Sequence, residues 1–237
     1  MTDHDAWFAR VRATWNERAP QWDEMSEANA VAPDRQADLT RTAAGLDLRP
    51  GSRLLDAGCG SGQYAIAFAQ LGYDVTAIDL APEMIARARR HAAERGAEVE
   101  WRVGDFSRLA DPNPAYDAIH ARMVLQFAPN VPAALREFRR VLKPNGRLYA
   151  SVPGALSPIY NRSWRRFLDP GSVATSYMTP WELEEVLRAL DWTILDGWGS
   201  TGRSLTGDDN LLDDSAFQHL PLRLRQAAAT TWAVIAA

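Results

Sequence analysis

Arg53-Leu54-Leu55-Asp56-Ala57-Gly58-Cys59-Gly60-Ser61-Gly62, followed by Gln63-Tyr64-Ala65-Ile66-Ala67-Phe68-Ala69, decides how this chain folds. Leu54 and Leu55 read as the end of a short buried strand, Gly58, Gly60 and Gly62 as a tight turn, and the run from Tyr64 as the start of a helix. Glycines at such a turn let the backbone bend sharply and let a ligand approach with no Cβ in the way, while the helix start presents free N–H groups. Strand, turn and helix together make a cradle for a cofactor. It is not the dinucleotide version, whose third glycine would fall at position 63, where this chain has Gln63. Asp56, ahead of the first glycine, would moreover repel a pyrophosphate and favour a cation.

Asp-x-Gly-x-Gly-x-Gly after an apolar strand, here Asp56 to Gly62, resembles motif I of the class I S-adenosylmethionine-dependent methyltransferases. Outward from it the pattern alternates strand and helix. Asp74 to Ile78 is a β-branched run closing on Asp79, and Pro82 starts a helix that runs to Gly96. Strands follow at 99–103, 116–122 and 147–152, the last after a helix from Val131 to Leu142 and a turn at Lys143-Pro144-Asn145-Gly146. A helix over 181–190, a strand over 193–195 and a last strand over 230–235 complete the chain. Such alternation predicts an α/β, Rossmann-like, doubly wound sheet of mostly parallel strands. The resemblance makes it seven-stranded with an antiparallel last strand. It covers residues 51 to 153 closely and the remainder more loosely.

Ligands of these sheets bind at the carboxyl ends of the strands, which gives Asp56, Asp79 and Asp105 one shared address. The resemblance implies S-adenosylmethionine as the cofactor, with Gly58, Gly60 and Gly62 beneath its methionine moiety and Asp56 near its amino end. It gives Asp79 the ribose hydroxyls, a role that suits the two oxygens of a carboxylate. Asp105 and Phe106 look like the pair that reads adenine. Met84 is placed either to pack near the nucleoside or in the core. Arg122 follows the fourth strand, where the family contacts the cofactor through backbone; its side chain reaches a substrate carboxylate or faces solvent.

The resemblance implies that residues 1–50 are an N-terminal helical lid segment ahead of a methyltransferase domain at 51–237, although Trp7 and Trp15 also read as plain packing against that domain. Trp7, Phe8, Val11 and Trp15 lie at helical spacing, Pro20 breaks that helix, and a second one runs from Arg35 to Gly45. Trp22, in Ala-x-x-Trp-Asp, resembles the lid of many small-molecule methyltransferases. An insertion at about 154–180 carries Tyr160, Trp164, Phe167 and Tyr177 among Pro158, Pro170 and Gly171, as a cover for a flat acceptor or as a hydrophobic mini-cluster.

The expected reaction is in-line transfer of a methyl group to a small-molecule acceptor (EC 2.1.1.-), in which proximity and exclusion of water supply most of the acceleration. The alternative is a protein of the same fold that binds the cofactor without transferring methyl. No catalytic residue is assigned. Many relatives carry a histidine after the fourth strand, where this chain has Gln126; His120 reads as a packed residue, and His4, His91 and His219 fall outside the expected pocket.

A net charge of −4 and a pI near 5.6 provide no general field for nucleic acid, with Arg162, Arg165 and Arg166 the only basic cluster near the end of the sheet. One cysteine, Cys59, excludes an intramolecular disulfide and fits a reducing cytoplasm as a small packed residue. The charged N-terminus does not read as a signal peptide, and no run reaches the roughly 18 apolar residues that span a bilayer. Asp208, Asp209, Asp213 and Asp214 read as a solvated loop and helix start, and no metal site is expected. A monomer and a homodimer are both compatible with the aromatic N-terminal helix.

Overall fold

The computed structural model describes residues 3–28, 33–111, 114–157, 160, 164–168, 175–200 and 214–237. Arg162, Pro158, Pro170, Gly171, Asp208, Asp209 and Asp213 lie outside the described residues, as do the side chains of Arg165, Arg166 and Asp214. Two helices, α1 (Asp3–Ala28) and α2 (Pro33–Leu46), precede β1 (Arg53–Ala57). Then come α3 (Gln63–Gln70), β2 (Asp74–Asp79), α4 (Pro82–Glu94), β3 (Glu100–Val103) and β4 (Tyr116–Arg122). A 3₁₀ turn (Leu125–Phe127) leads into α5 (Val131–Val141) and β5 (Leu142–Pro153). The chain closes with α6 (Arg165–Leu168), α7 (Pro180–Ala189), β6 (Ile194–Ser200), α8 (Asp214–His219), α9 (Leu222–Ala228) and β7 (Thr231–Ala236).

The seven strands form one sheet in the order β3-β2-β1-β4-β5-β7-β6, parallel from β3 to β5, with β7 antiparallel to both of its neighbours. The order reverses between β1 and β4, and that is the switch point where a ligand crevice opens in such sheets. Alternation along β1 sends Leu54 to the face covered by α2 and α3, with Phe68, Tyr149 and Trp198, and Leu55 to the opposite core, with Phe138, Leu148 and Trp232. Asp56 therefore shares the face of Leu54. Local chemistry fixes the helix starts: Asn130 accepts from the N–H of Ala133 at 3.0 Å, and Thr179 with Glu182 forms a capping box on α7.

Three boundaries differ from the sequence reading. First, α1 runs unbroken through Pro20. An interior proline costs a helix about 3 kcal/mol, but Trp15, Ala19 and Trp22, which flank it, pack on Ala81 and Met84 while Pro20 itself faces water. Second, the expected turn at 143–146 lies inside β5, where the pairing steps from Tyr116↔Leu142 to Ala118↔Arg147 and Asn145 takes a φ of 67°. Third, β6 extends to Ser200 through Gly197 and Gly199, residues that discourage a strand. Bareness is needed there: a Cβ on Gly199 would meet the Phe217 ring at 2.6 Å.

Candidate active site

The glycine turn is built from both sides. The N–H groups of Gly58 and Cys59 donate to the Ile78 carbonyl at 2.8 and 3.1 Å, and Gly58, Gly60 and Gly62 have φ of 73°, 55° and 87°. A Cβ on Gly58 would lie 2.2 Å from Val124 Cγ2, and one on Gly62 would lie 2.7 Å from the Trp101 ring. Packing thus explains these two glycines. Gly60 differs, because its missing Cβ points at α1, with Trp22 Nε1 at 3.3 Å.

Asp79, at the end of β2, braces the turn. Its Oδ2 accepts from the Gly60 N–H and its Oδ1 from the Ala81 N–H, each at 2.9 Å. Burial pushes its carboxyl up to about 6 against the pull of these bonds, and the charge of Asp56 adds to the rise. Burial also drives the Cys59 thiol well up, reinforced by Asp79 and Asp56, so the sulfur is held as a neutral thiol.

Helix α1 lies across the strand ends. Trp15 and Trp22 meet edge to face at 5.3 Å and pack with Ala19 on Met84, which is 1% exposed. Trp7 Nε1 donates to the Phe127 carbonyl at 2.9 Å, and Trp15 sits edge-on to the Phe127 ring at 5.3 Å. At the far end His4 Nε2 approaches Asp105 Oδ2 at 3.3 Å, while Asp105 Oδ1 accepts from the N–H and hydroxyl of Ser107 at 2.7 Å. The sequence reading left His4 outside the pocket; the unbroken helix brings it to the end of β3. Phe106 turns away, its ring buried with Leu109 and Phe138 in the main core.

The C-terminal half of α1 is tied to α4. His91 Nε2 lies 2.8 Å from Asp23 Oδ1, and Arg87 donates to Asp23 Oδ2 at 3.1 Å. Arg95 pairs with Glu27 at 2.5 Å, and Gln63 bonds to the same carboxylate. Burial alone would raise the Asp23 carboxyl, but hydrogen bonds from His91 and Arg87 outweigh it and hold the group below the ordinary carboxylate range. The nearest ligand atoms of Asp23, Glu27 and His91 lie within 4.8 Å of one another. With Arg87, Arg90 and Arg95 bonded into it, this cluster is an ion-pair network that opposes a further cation.

A second polar group sits beneath α2. Arg122 stacks over the Tyr64 ring at 5.0 Å and faces Asp38 Oδ2 at 3.6 Å. Asp38 in turn accepts from the Tyr64 hydroxyl at 2.8 Å and from Trp198 Nε1 at 3.2 Å. Burial pushes the Tyr64 phenol up to about 12, so it stays a donor. Deeper in the same layer, Asp56 Oδ1 lies 2.8 Å from His120 Nδ1.

The insertion splits in two. Tyr160 and Tyr177 have ring centroids 5.5 Å apart, and the neighbouring Ser176 N–H donates to the Gln126 carbonyl at 2.6 Å, docking this segment on the 3₁₀ turn. Trp164 is 53% exposed, alongside exposed Phe167 and Leu168. The fold thus brings Asp56, Asp79 and Asp105 to the carboxyl ends of β1, β2 and β3, sets Gly60, Met84 and Asp105 against α1 and Arg122 with Asp56 in the layer beneath α2, and leaves Phe106 in the core and Trp164 on the surface.

Residues 55–150 match the family model described as Methyltransferase domain. A ubiquinone biosynthesis O-methyltransferase from Xanthomonas campestris pv. campestris (strain B100) is 38% identical over 153 residues, 64% of this chain and 61% of that protein's length. Among solved structures, the [4+2]-cyclase SpnF superposes with a TM-score of 0.69 at 25% identity, covering 95% of this chain and 94% of the other. Magnesium protoporphyrin IX methyltransferase from Synechocystis PCC 6803 with bound SAH does so at 0.67 and 18% identity, over 95% and 97% of the two chains. Residues 55–150 thus match a methyltransferase domain, and the fold is that of the class I S-adenosylmethionine-dependent methyltransferases.

Proposed function

We propose that this protein transfers a methyl group from S-adenosylmethionine to a small-molecule acceptor. The observation that carries this reading is the placement of Asp56, Asp79 and Asp105 at the carboxyl ends of the neighbouring strands β1, β2 and β3, with the glycine turn leading off β1 at the switch point. The residues fit the cofactor. Asp56 Oδ2 is buried with no hydrogen-bond partner, an acceptor waiting for a donor such as an ammonium. Gly60 puts no Cβ between the turn and the Trp22 side chain of α1, Asp79 offers two oxygens to a vicinal diol, and Trp15 and Trp22, packed on Met84, supply apolar surface beside them.

When bound, S-adenosylmethionine supplies a methyl group on a sulfonium that already carries a good leaving group. The protein's task is then to orient the acceptor and to keep water out. Residues 1–50 serve as the lid in this reading and 154–180 as the acceptor cover, with Tyr160 and Tyr177 as its orienting aromatics. The acceptor is a small metabolite rather than nucleic acid, methylated in the cytoplasm. Support for an oxygen acceptor comes from the name of the Xanthomonas relative.

A calorimetric titration with S-adenosylmethionine and its demethylated product, run beside Asp79→Ala, tests the cradle. Micromolar binding lost in the variant is expected, followed by turnover in a screen of phenolic and amine acceptors; no binding of either ligand would overturn the reading. A second reading, a same-fold enzyme that binds the cofactor without consuming it, is favoured by the likeness to the SpnF cyclase. Binding without demethylated product across the acceptor screen would select it.

A further inference from the structure

We propose that His120 is a positioning residue that fixes the carboxylate of Asp56 for the ammonium end of the cofactor, an inference that rests on the cofactor reading above. Strand register sets Asp56, His120 and Tyr149 side by side on one face of β1, β4 and β5. Asp56 is 2% exposed and His120 1%, so their 2.8 Å contact is sealed from water. The imidazole cannot rotate freely. It stacks between Tyr64 and Tyr149, at 4.9 and 4.7 Å with interplanar angles of 28° and 27°, and Phe68 closes its edge at 5.2 Å.

A carboxylate behind a glycine turn has two oxygens and a free torsion, and a hydrogen bond that holds one oxygen fixes the direction from which the other can accept. His120 makes that bond by donating its Nδ1 proton to Oδ1. Oδ2 then remains buried and without a partner, facing a neighbourhood where the Asp56 charge is felt at both Cys59 and Asp79 of the cradle. An ammonium donor satisfies that oxygen and neutralises the acid; an uncharged ligand lacking the amino-acid tail gains nothing from it. His120 thus touches no ligand and acts through Asp56.

The test compares three ligands by calorimetry: S-adenosylmethionine, its demethylated product, and 5′-methylthioadenosine, which keeps the nucleoside and sulfur but has no ammonium. His120→Phe retains the ring between the two tyrosines and removes the donor, whereas His120→Asn restores an amide N–H. The expected result is about tenfold weaker binding of the first two ligands to His120→Phe, less than about twofold change for methylthioadenosine, and recovery in His120→Asn. Equal losses for all three ligands, or none, would overturn the proposal. On the unmodified protein, ¹⁵N resonances of His120 must show the proton on Nδ1, and a bare Nδ1 refutes it even if His120→Phe does not fold. Absence of binding by the unmodified protein to all three ligands would overturn the cofactor reading, and this inference with it.

Discussion

Asp23 on α1 and His91 on α4 meet at 2.8 Å with both side chains buried, so the helix that covers the strand ends is fastened to the body by a carboxylate–imidazole pair. Removing one partner of a buried pair leaves the other uncompensated, which typically costs about 3–5 kcal/mol. Asp23→Ala, which strands His91 and Arg87, is expected to lower stability by about that much in urea unfolding, and Asp23→Asn by less. The pH dependence has a definite sign. Because the native carboxyl is held below the ordinary 3.8, its share of stability is complete above about pH 4 and is lost as pH falls through the native value. An Asp23→Ala protein as stable as the parent at pH 7 would show that the fastening is idle.

Asp79 behaves in the opposite sense. Its carboxyl sits at about 6, raised chiefly by burial, so the protonated form is favoured in the native state. This group's contribution to folding stability is greatest below the unfolded value near 3.8 and declines as pH rises through 6. Ligand binding runs against that trend, since accepting two hydroxyl hydrogen bonds calls for the ionised carboxylate. Affinity for S-adenosylmethionine should fall about tenfold per pH unit below pH 6, and binding near pH 6 should release protons, measurable by calorimetry in buffers of different ionisation enthalpy. A flat affinity from pH 5 to 8 would exclude Asp79 from the diol.

Gly58, Gly60 and Gly62 should separate under mutation to alanine. At Gly58 and Gly62 the new methyl meets Val124 at 2.2 Å and the Trp101 ring at 2.7 Å, on backbone of positive φ. Overpacking plus backbone strain predicts losses of about 2–4 kcal/mol in thermal unfolding. At Gly60 the nearest atom is Trp22 Nε1 at 3.3 Å. Gly60→Ala should therefore cost only about 1 kcal/mol in stability and show its main effect in weaker cofactor binding. Equal losses at all three positions would mean that Gly60 does not open on the ligand.

Pro20 is exposed inside an unbroken helix. Pro20→Ala returns a backbone N–H to α1 and should stabilise the protein by about 1–3 kcal/mol, read as a raised melting temperature. A lowered melting temperature would mean that the proline ring itself supports the helix.

The strands, their order of appearance and the acidic residues that end them were legible because each rests on a local signal: an apolar run, a glycine, a carboxylate. The same is true of α4, announced by Pro82. Longer-range features had no such signal. Pro20 is locally a stop, and only the packing of Trp15 and Trp22 on Met84 overrides it. Because α1 continues, His4 reaches Asp105, a contact across 101 residues of sequence. The pairing of Asp56 with His120 needed the register of two strands 64 residues apart. The burial of the Phe106 ring was not legible for a simpler reason: which way a residue after a strand turns is set by its neighbours, here Leu109 and Phe138.

The placement of β7 between β5 and β6 dictates an order of assembly. Among the described residues β6 hydrogen-bonds in the sheet to β7 alone, which follows it by some 30 residues. During vectorial synthesis β6 must wait, unpaired, until 231–236 have emerged and docked against β5, whereas the five parallel strands and the cradle they carry are complete earlier. Until then the strand edge at Trp198 is open for pairing with another chain.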